Sequence, residues 1–408
     1  MSEFFLFLYL FFCFFMVVFL ERTLVSYFLL FCAIYSFFGL VLFDFGYNVP
    51  FGLGQGIEQK LIMFPIYVVA SCSVFFSIGQ RISFNSKKFK VGESVPRIGF
   101  KQKQFKSNAL AIFPLLTTML VILSVGIDNL LIRDSYVVSD ANLTFRKFAD
   151  ITVWIAIISI PFIKNKTFRF ICHFLLLSVF VGLGSRSAMV IAFSYPLFNY
   201  FINNLSKFKI FIHVVLAILL SVTVMQVRFQ SNRGLIPVLD NILSWNIEFD
   251  MSLYVINYLT SYSILLFSEY INNHAVDFKY FFMSISPLPG FMIDIDGLDQ
   301  WARFRKSIPH SAISQLYGHI GLFLTLSVFL LHGFVCGIFK NRILRTFKNS
   351  YLLLSSLVIV DLLFLIPVIR GMQYNLRGVT RLEYFVLAIT IFFVFIFYLK
   401  RTMKRKSW

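Results

Sequence analysis

The chain has 408 residues, of which 58% are apolar and 14% are charged, and its mean hydropathy is +0.80. A soluble globular chain is ~45–50% apolar and about 25% charged. This composition therefore excludes a water-soluble fold and favours a protein whose solvent is lipid. The formal net charge of +18 suits either nucleic acid or an anionic membrane surface, and the placement of the charges along the chain decides between them.

Apolar runs of membrane-spanning length recur along the whole chain. A spanning helix needs ~20 mostly apolar residues (range ~17–25). We identify eleven such runs, at 4–20, 24–43, 61–80, 108–127, 148–163, 168–183, 188–204, 210–226, 312–338, 350–368 and 384–399. Lipid leaves open backbone groups unsatisfied, and no alternating barrel pattern is present in the sequence. The prediction is an all-α polytopic transmembrane bundle in which residues 1–408 form one integral membrane domain.

The connections between these runs differ sharply in charge. Alternate connections, together with Arg169 at the start of the adjacent run, contain 23 of the 37 lysines and arginines but only two acids, Glu21 and Glu93. By the positive-inside rule this set is cytoplasmic, including the basic loop 81–107. Phe89, Phe100 and Phe105 are interleaved with its lysines. Such rings can stack on bases, but beside a bilayer they enter the headgroup boundary, so we expect membrane lipid and no nucleic acid as the partner.

The largest connection on the opposite, outward side is residues 227–311, which we predict to be a loop carrying short helices. Within it, Met251–Tyr270 is apolar but contains Ser, Asn, Tyr and Glu269, which predicts an interfacial or re-entrant helix lying over the bundle. The cysteines all fall in apolar runs without metal-ligand spacing, so we expect free thiols packed as small apolar groups. They are Cys13, Cys32, Cys72, Cys172 and Cys336.

Arginines mark two outward turns. Arg186 lies in a tight hairpin, Leu183–Ser187, between two apolar runs. An ionisable group at membrane depth is a functional candidate, and snorkelling to the headgroups is the alternative. Arg228 and Arg233 directly follow a predicted span. Paired guanidinium groups suit a diphosphate, whereas the plain alternative is a charged helix end.

His310 is the candidate for catalysis. Ser307 is predicted to cap a helix and Pro309 to lie in its first turn, which places His310 at the outward N-terminus of a long spanning helix. The helix dipole there disfavours a protonated imidazole, and a neutral histidine can act as a general base. The same N-terminus attracts phosphate oxygens. A surface histidine at a helix start is the alternative. Tyr317 and His319 follow on this helix as substrate-binding candidates, with packing as the alternative for His319.

Acidic and basic residues near His310 complete the candidate site. Asp294, Asp296 and Asp299 form part of a calcium-loop pattern but lack its later bidentate glutamate, so sugar hydroxyls or a solvated turn are predicted and no metal. Further outward arginines depart from the positive-inside trend and favour an anionic ligand. These are Arg303 and Arg305, which precede His310, and Arg377 and Arg381, which precede the last span. Asp361 lies inside a span and is expected to pair with a helix neighbour.

The tight turn Gly184–Ser187, the large outward loop, Pro309-His310-Ser311 and the glycines of Tyr317–Gly321 together resemble the bacterial O-antigen polymerases of the Wzy type, and more distantly the O-antigen ligases. In that superfamily a Pro-His-(Asn/Ser) segment followed by glycines opens a late helix, and loop arginines are essential. Ser311 departs from the more usual His-Asn pair. The odd number of spans departs from members with both ends inside.

The resemblance implies a metal-independent glycosyltransferase of lipopolysaccharide biosynthesis in the bacterial inner membrane, with its active site facing the periplasm and no cofactor. Its substrate would be an oligosaccharide linked to undecaprenyl diphosphate, and a flippase and a chain-length regulator would be its partners. His310 would be the base, while Arg186, Arg228 and further arginines would stabilise the leaving diphosphate. The alternatives are a lipid-linked oligosaccharide flippase or exporter, an O-antigen ligase and a membrane O-acyltransferase.

Overall fold

The structure is a computed structural model that describes residues 3–20, 23–44, 57–84, 107–135, 138, 141–185, 187–203, 206–248, 250–273, 278–288, 292, 303–305, 308–346 and 350–384. Its regular structure is almost entirely helical. The helices are α1 (Glu3–Phe19), α2 (Leu24–Ser36), α3 (Gln59–Ser83), α4 (Ile112–Val125), α5 (Ile127–Leu131), α6 (Leu143–Ser159), α7 (Lys166–Gly182), α8 (Ser187–Asn203), α9 (Lys207–Val227), α10 (Leu235–Leu243), α11 (Asp250–Leu259), α12 (Ser261–Asn273), α13 (Phe278–Ile285), α14 (Ala312–Thr346) and α15 (Ser350–Gly371). A π-helical turn, Phe37–Leu42, extends α2, and residues 376–384 are also helical.

Two short antiparallel strands, β1 (Arg303–Arg305) and β2 (Ile308–Pro309), lie immediately before α14. Arg303 pairs with Pro309, and Arg305 pairs with Ile308. The expectation of an all-α helical fold is therefore confirmed apart from this small ribbon.

Several helices are long and apolar enough to cross a membrane. They are Leu24–Leu42, Gln59–Ser83, Asn108–Val125, Phe208–Val227 and Ala312–Ile343. Among the described residues, the pair α11 and α12, bent by 56°, brings the number to six if it counts as one broken span. Helix α1 has 17 residues, about 25 Å of helix, and carries exposed Phe4, Phe11 and Phe19. The chain is a helical membrane protein.

Apolar runs and capping residues explain where these helices begin and end. Thr23 accepts a hydrogen bond from the Ser26 amide at 3.0 Å at the start of α2. Asn165 accepts one from the Thr167 amide at 2.9 Å at the start of α7. Ten of the eleven predicted runs coincide with helices, and residues 385–399 of the last run lie outside the described residues.

The chain forms two compact units, one of Met1–Val95 with Ile256–Trp408 and the other of Pro96–Val255. In the first unit, α3 packs closely along α14 because glycines remove the side chains between them. A Cβ on Gly79 would lie 1.9 Å from the Leu330 carbonyl oxygen, and a Cβ on Gly333 would lie 2.0 Å from that of Phe76. Gly333 and Gly337 are four residues apart, the spacing by which membrane helices approach each other.

An ion pair inside the first unit joins α14 to α15. Lys340 Nζ lies 2.5 Å from Asp361 Oδ1, and both side chains are largely buried. The pairing expected for Asp361 is thus observed. The predicted run 312–338 ends before Lys340, but α14 extends to Thr346 and contains this residue. The long aliphatic stem allows this lysine to stay helical and buried while its charge is compensated.

The segment 251–270 does not lie over a bundle. Tyr262, Leu265 and Tyr270 of α12 are at most 1% exposed and belong to the interior of the first unit. Its polar groups bond to neighbouring helices: Ser261 lies 3.0 Å from Ser36 Oγ, and Asn257 Oδ1 accepts from Tyr35 at 3.0 Å. The prediction of a surface helix was wrong because polar residues here satisfy each other between helices. The predicted alternative of a re-entrant segment agrees with the bend.

In the second unit, α4 packs against α6 and α7, and α9 packs against α8 and α10. Helix α10 is amphipathic, with Val238 and Asn241 buried and Leu239 and Leu243 exposed. The five cysteines are free and buried, as the sequence predicted.

Candidate functional site

His310 lies between β2 and α14 in the first unit and is 2% exposed. The helix begins later than the sequence predicted. Ser311, not Ser307, is its N-cap: the Ser314 amide donates to Ser311 Oγ at 3.2 Å, and the Gln315 amide donates to the Ser311 carbonyl at 3.1 Å. Pro309 is extended rather than helical because it pairs with β1. His310 therefore directly precedes the cap and still lies beside the N-terminus of α14.

The ring of Tyr270 lies edge-on to His310, with ring centroids 4.7 Å apart and an interplanar angle of 81°. Its centroid is also 6.3 Å from that of His319, at 89°. The Tyr280 ring is nearly parallel to His319 at 6.3 Å. We call His310, Tyr270, His319 and Tyr280 the histidine–tyrosine cluster.

Gly318 makes this cluster possible. A Cβ on Gly318 would lie 1.8 Å from Tyr270 Cε1, so the ring fills the space of the missing side chain. Sequence reasoning missed Tyr270 because aromatic residues are too frequent in this chain for one of them to stand out. The glycine between Tyr317 and His319 was the available signal of a close neighbour.

A break in α14 follows the cluster by two residues. Gly321 has φ +73° and ψ 176°, so the helix has non-helical backbone at this point. The Thr325 hydroxyl donates to the Gly321 carbonyl at 2.8 Å, a bond to the carbonyl four residues back that threonines in helices commonly make. Discontinuous membrane helices of this kind line binding sites in other membrane proteins.

The other predicted residues of the first unit have structural contacts. Tyr317 packs its ring against Phe64 and Phe267, at centroid distances of 5.4 and 5.1 Å. Arg377 donates to the carbonyls of Met283 at 2.5 Å and Leu288 at 3.0 Å, which caps the C-terminus of α13.

The helical residues 376–384, which contain Arg377, supply two more side chains that cap the C-terminus of α13. Thr380 donates to the Ser284 carbonyl at 3.0 Å, and Tyr384 donates to the Ile285 carbonyl. Burial and then the charge of Arg381 lower the pKa of Arg377 below its usual value. The side chain of Arg381 is exposed. Substrate binding by these two arginines stays a prediction, and in this structure Arg377 holds α13.

In the second unit, two arginines lie beside the turn at Gly184, which has φ +59°. A Cβ added to Gly184 would lie 3.5 Å from Arg133 Nη2 and 3.6 Å from Arg228 Cγ. Arg233 Nε donates to the Arg228 carbonyl at 3.0 Å, so the Arg228 backbone holds the Arg233 side chain, and pairing of the two guanidinium groups stays a prediction. We call Arg133, Arg228 and Arg233 the arginine cluster.

Arg133 organises this cluster and was missed from the sequence. Its side chain is 6% exposed and donates to the carbonyls of Gly182 at 2.6 Å and Leu183 at 2.7 Å, at the end of α7. Its backbone exchanges hydrogen bonds with Arg233 at 2.7 and 2.8 Å. In the sequence Arg133 looks like an ordinary loop residue after a short apolar run, because its acceptors are far away along the chain. The guanidinium groups of Arg133 and Arg233 bond to backbone carbonyls, and their positive charge suits phosphate oxygens.

Several predicted residues fall outside the described part of the chain. They are Arg186, Asp294, Asp296 and Asp299, together with residues 85–106 of the basic loop. For Arg303 and Arg305 the backbone pairing with β2 is described and the side chains are not. Among the residues that the structure describes, no group of three or more His, Cys, Asp or Glu side chains is arranged to hold a metal ion.

Compared with known proteins, the chain matches no family model, no curated protein and no solved structure.

Proposed function

We propose that this chain is an O-antigen polymerase with eleven spans in a bacterial inner membrane, acting at the periplasmic face. It would transfer a growing glycan from undecaprenyl diphosphate to a sugar hydroxyl of a new lipid-linked repeat unit. The proposal rests on the resemblance carried by Gly184–Ser187 and Pro309–Gly321 and on the long apolar helices. One structural observation supports it most: His310 is buried beside a helix N-terminus and packed against Tyr270.

This environment suits a general base. A general base must be neutral to accept a proton, and burial together with the positive end of α14 favours the neutral imidazole. Contact with the edge of the Tyr270 ring fixes the plane of the imidazole. Low exposure keeps bulk water away, which limits hydrolysis of the donor.

The reaction then follows from the groups involved. An imidazole nitrogen of His310 takes the proton of the acceptor hydroxyl while that oxygen attacks the anomeric carbon of the growing glycan. A new glycosidic bond forms, the bond from the anomeric carbon to the diphosphate oxygen breaks, and its electrons leave with undecaprenyl diphosphate. Guanidinium groups stabilise the charge that develops on the leaving oxygens. The resemblance assigns this role to Arg186 and Arg228, and Arg133 holds the end of α7, which precedes Arg186 in the sequence.

Surface glycan from cells tests the proposal. In a strain lacking the native copy, His310→Ala should leave core with a single repeat unit, while wild-type protein should restore the full ladder of chain lengths. His213→Ala is the matched control, because His213 lies on α9 and its Nδ1 already contacts the Lys209 carbonyl at 2.6 Å. Equal amounts of both variants in the membrane must be verified. A normal ladder with His310→Ala would remove this residue from the mechanism.

A lipid-linked oligosaccharide exporter is the second candidate, and two polar pairs favour it. Lys340 with Asp361, and His332 with Glu383 at 3.2 Å, join membrane helices of the first unit. Ionisable groups in spanning helices often line a transport path. Deletion of the gene separates the candidates. Loss of a polymerase leaves core with a single repeat unit, and loss of an exporter leaves no repeat units outside the membrane. Loss of a ligase leaves bare core.

A further inference from the structure

A polar cup lies in the second unit where α9 ends and α10 begins. Its volume is about 370 Å³, and it is lined by Gln230, Ser231, Asn232, Pro237, Asp240 and Asn241. Five of these six side chains are polar. Such a lining is unusual in a chain that is 58% apolar, and none of these residues was singled out by the sequence.

The cup is built from two segments that are tied together. Asn241 Nδ2, on α10, donates to Gln230 Oε1, on the preceding loop, at 3.1 Å. Asn241 is 8% exposed, so this bond is shielded from water and fixes both amides. The loop and the helix are therefore already arranged before any ligand arrives, which lowers the entropic cost of binding.

The chemistry of the lining indicates the class of ligand. Amides and hydroxyls both donate and accept hydrogen bonds, and a carboxylate accepts them. Sugar hydroxyls have the same dual character. A diphosphate offers only acceptors and negative charge, which the carboxylate of Asp240 repels. Calcium requires six to eight oxygens, commonly from several carboxylates, and this cup has one.

The cup also lies beside the arginine cluster along the chain. Its loop residues 230–232 lie between Arg228 and Arg233 in the sequence. The Arg233 side chain donates to the Arg228 carbonyl at 3.0 Å and so closes this loop. A ligand with a charged diphosphate and an uncharged sugar would thus find complementary groups within one loop.

We infer that the cup of Gln230, Ser231, Asn232, Asp240 and Asn241 is a subsite for the uncharged pyranose rings of the glycan. This inference rests on the proposed function, because the glycan is the part of the proposed substrate that offers many hydroxyls. Asp240 and Asn241 hydrogen-bond to the ring hydroxyls, and Ser231 and Asn232 contact the sugar from the loop side of the cup.

Binding without catalysis tests the subsite. The probe is the repeat-unit oligosaccharide, released by mild acid from the lipid-linked precursor of the source organism. Saturation transfer to this sugar is measured with the purified full-length protein in nanodiscs. Asp240→Asn and Asn241→Leu should each weaken binding about tenfold, since each removes hydrogen bonds that water replaces only in part. Asp128→Asn, the same change at an exposed position outside the cup, should bind as the wild type does.

The outcomes separate the subsite from the catalytic proposal. Wild-type protein that does not bind the sugar, or unchanged binding in Asp240→Asn and Ser231→Ala, overturns the subsite even if His310→Ala abolishes the ladder. Sugar binding that depends on Asp240 with a normal His310→Ala ladder supports the subsite and removes the proposed mechanism. Complete displacement of the sugar by inorganic pyrophosphate, or a requirement for calcium, also overturns the subsite. Should Asn241→Leu fail to fold, the exposed Asp240 and Ser231 variants decide.

Discussion

Replacing Gly318 with alanine should displace Tyr270 and thereby disturb His310. The added Cβ would lie 1.8 Å from Tyr270 Cε1 and 2.8 Å from both Cδ1 and Cζ. Because the ring is fully buried, it must shift with its neighbours, and overpacking of this kind costs about 1–3 kcal/mol. A shift of roughly 1 Å at a catalytic group can lower a rate about 100-fold. We therefore expect Gly318→Ala to abolish long glycan chains on the cell surface while it lowers the free energy of unfolding by only this modest amount.

A double-mutant cycle checks this reasoning. Tyr270→Ala alone should destabilise the protein by about 3–5 kcal/mol, as removal of other large buried rings does. In the variant that combines Gly318→Ala with Tyr270→Ala, the added methyl group has space. Its loss of stability should therefore be about 1–3 kcal/mol smaller than the sum of the losses in the two single variants. Unfolding of purified protein in mixed micelles measures these values. Gly321→Ala is the control, because its φ of +73° and ψ of 176° create strain of roughly 1–3 kcal/mol, while no neighbouring atom lies within 4 Å of an added Cβ. Additivity within about 0.5 kcal/mol would refute the proposed contact.

Three further changes probe the rest of the fold. Lys340→Ala should cost about 3–5 kcal/mol by leaving Asp361 buried without its cation, and Lys340→Met with Asp361→Leu should restore stability in the same unfolding assay. Arg133→Lys should lower the midpoint of thermal unfolding, because lysine lacks the planar fork whose two nitrogens bond the two carbonyls at the end of α7, whereas Arg146→Lys at a partly exposed position should change it little. Gly333→Leu should reduce the amount of folded protein in the membrane, since its side chain would meet backbone 2.0 Å from its Cβ.

The course of the chain through lipid could be predicted from the sequence because it depends on local composition. The run 61–80 lies inside Gln59–Ser83, and the run 108–127 differs from its helical segment by two residues. Burial in lipid leaves helix as the only local solution for such runs. The segment 251–270 failed this reasoning because its polar groups are satisfied by other helices, which composition does not report.

The candidate site was predicted less completely, since it depends on contacts between distant residues. Both Ser307 and Ser311 have the residue type of an N-cap, and pairing between β1 and β2 made Ser311 the cap. Arg228 and Arg233 were predicted together because they are close in sequence. Arg133 was not, because the carbonyls that hold it belong to another helix.

Purified protein in nanodiscs, supplied with undecaprenyl-diphosphate-linked repeat units, provides the most direct test of the catalytic claim. The wild type should make chains longer than one repeat and release one undecaprenyl diphosphate for each bond formed. His310→Ala should lose both products together, by about 100-fold or more, as expected for a missing general base. Glycan chains of normal length from His310→Ala would contradict the dependence on His310. No polymer from folded wild-type protein would contradict the assignment of this chain as a polymerase.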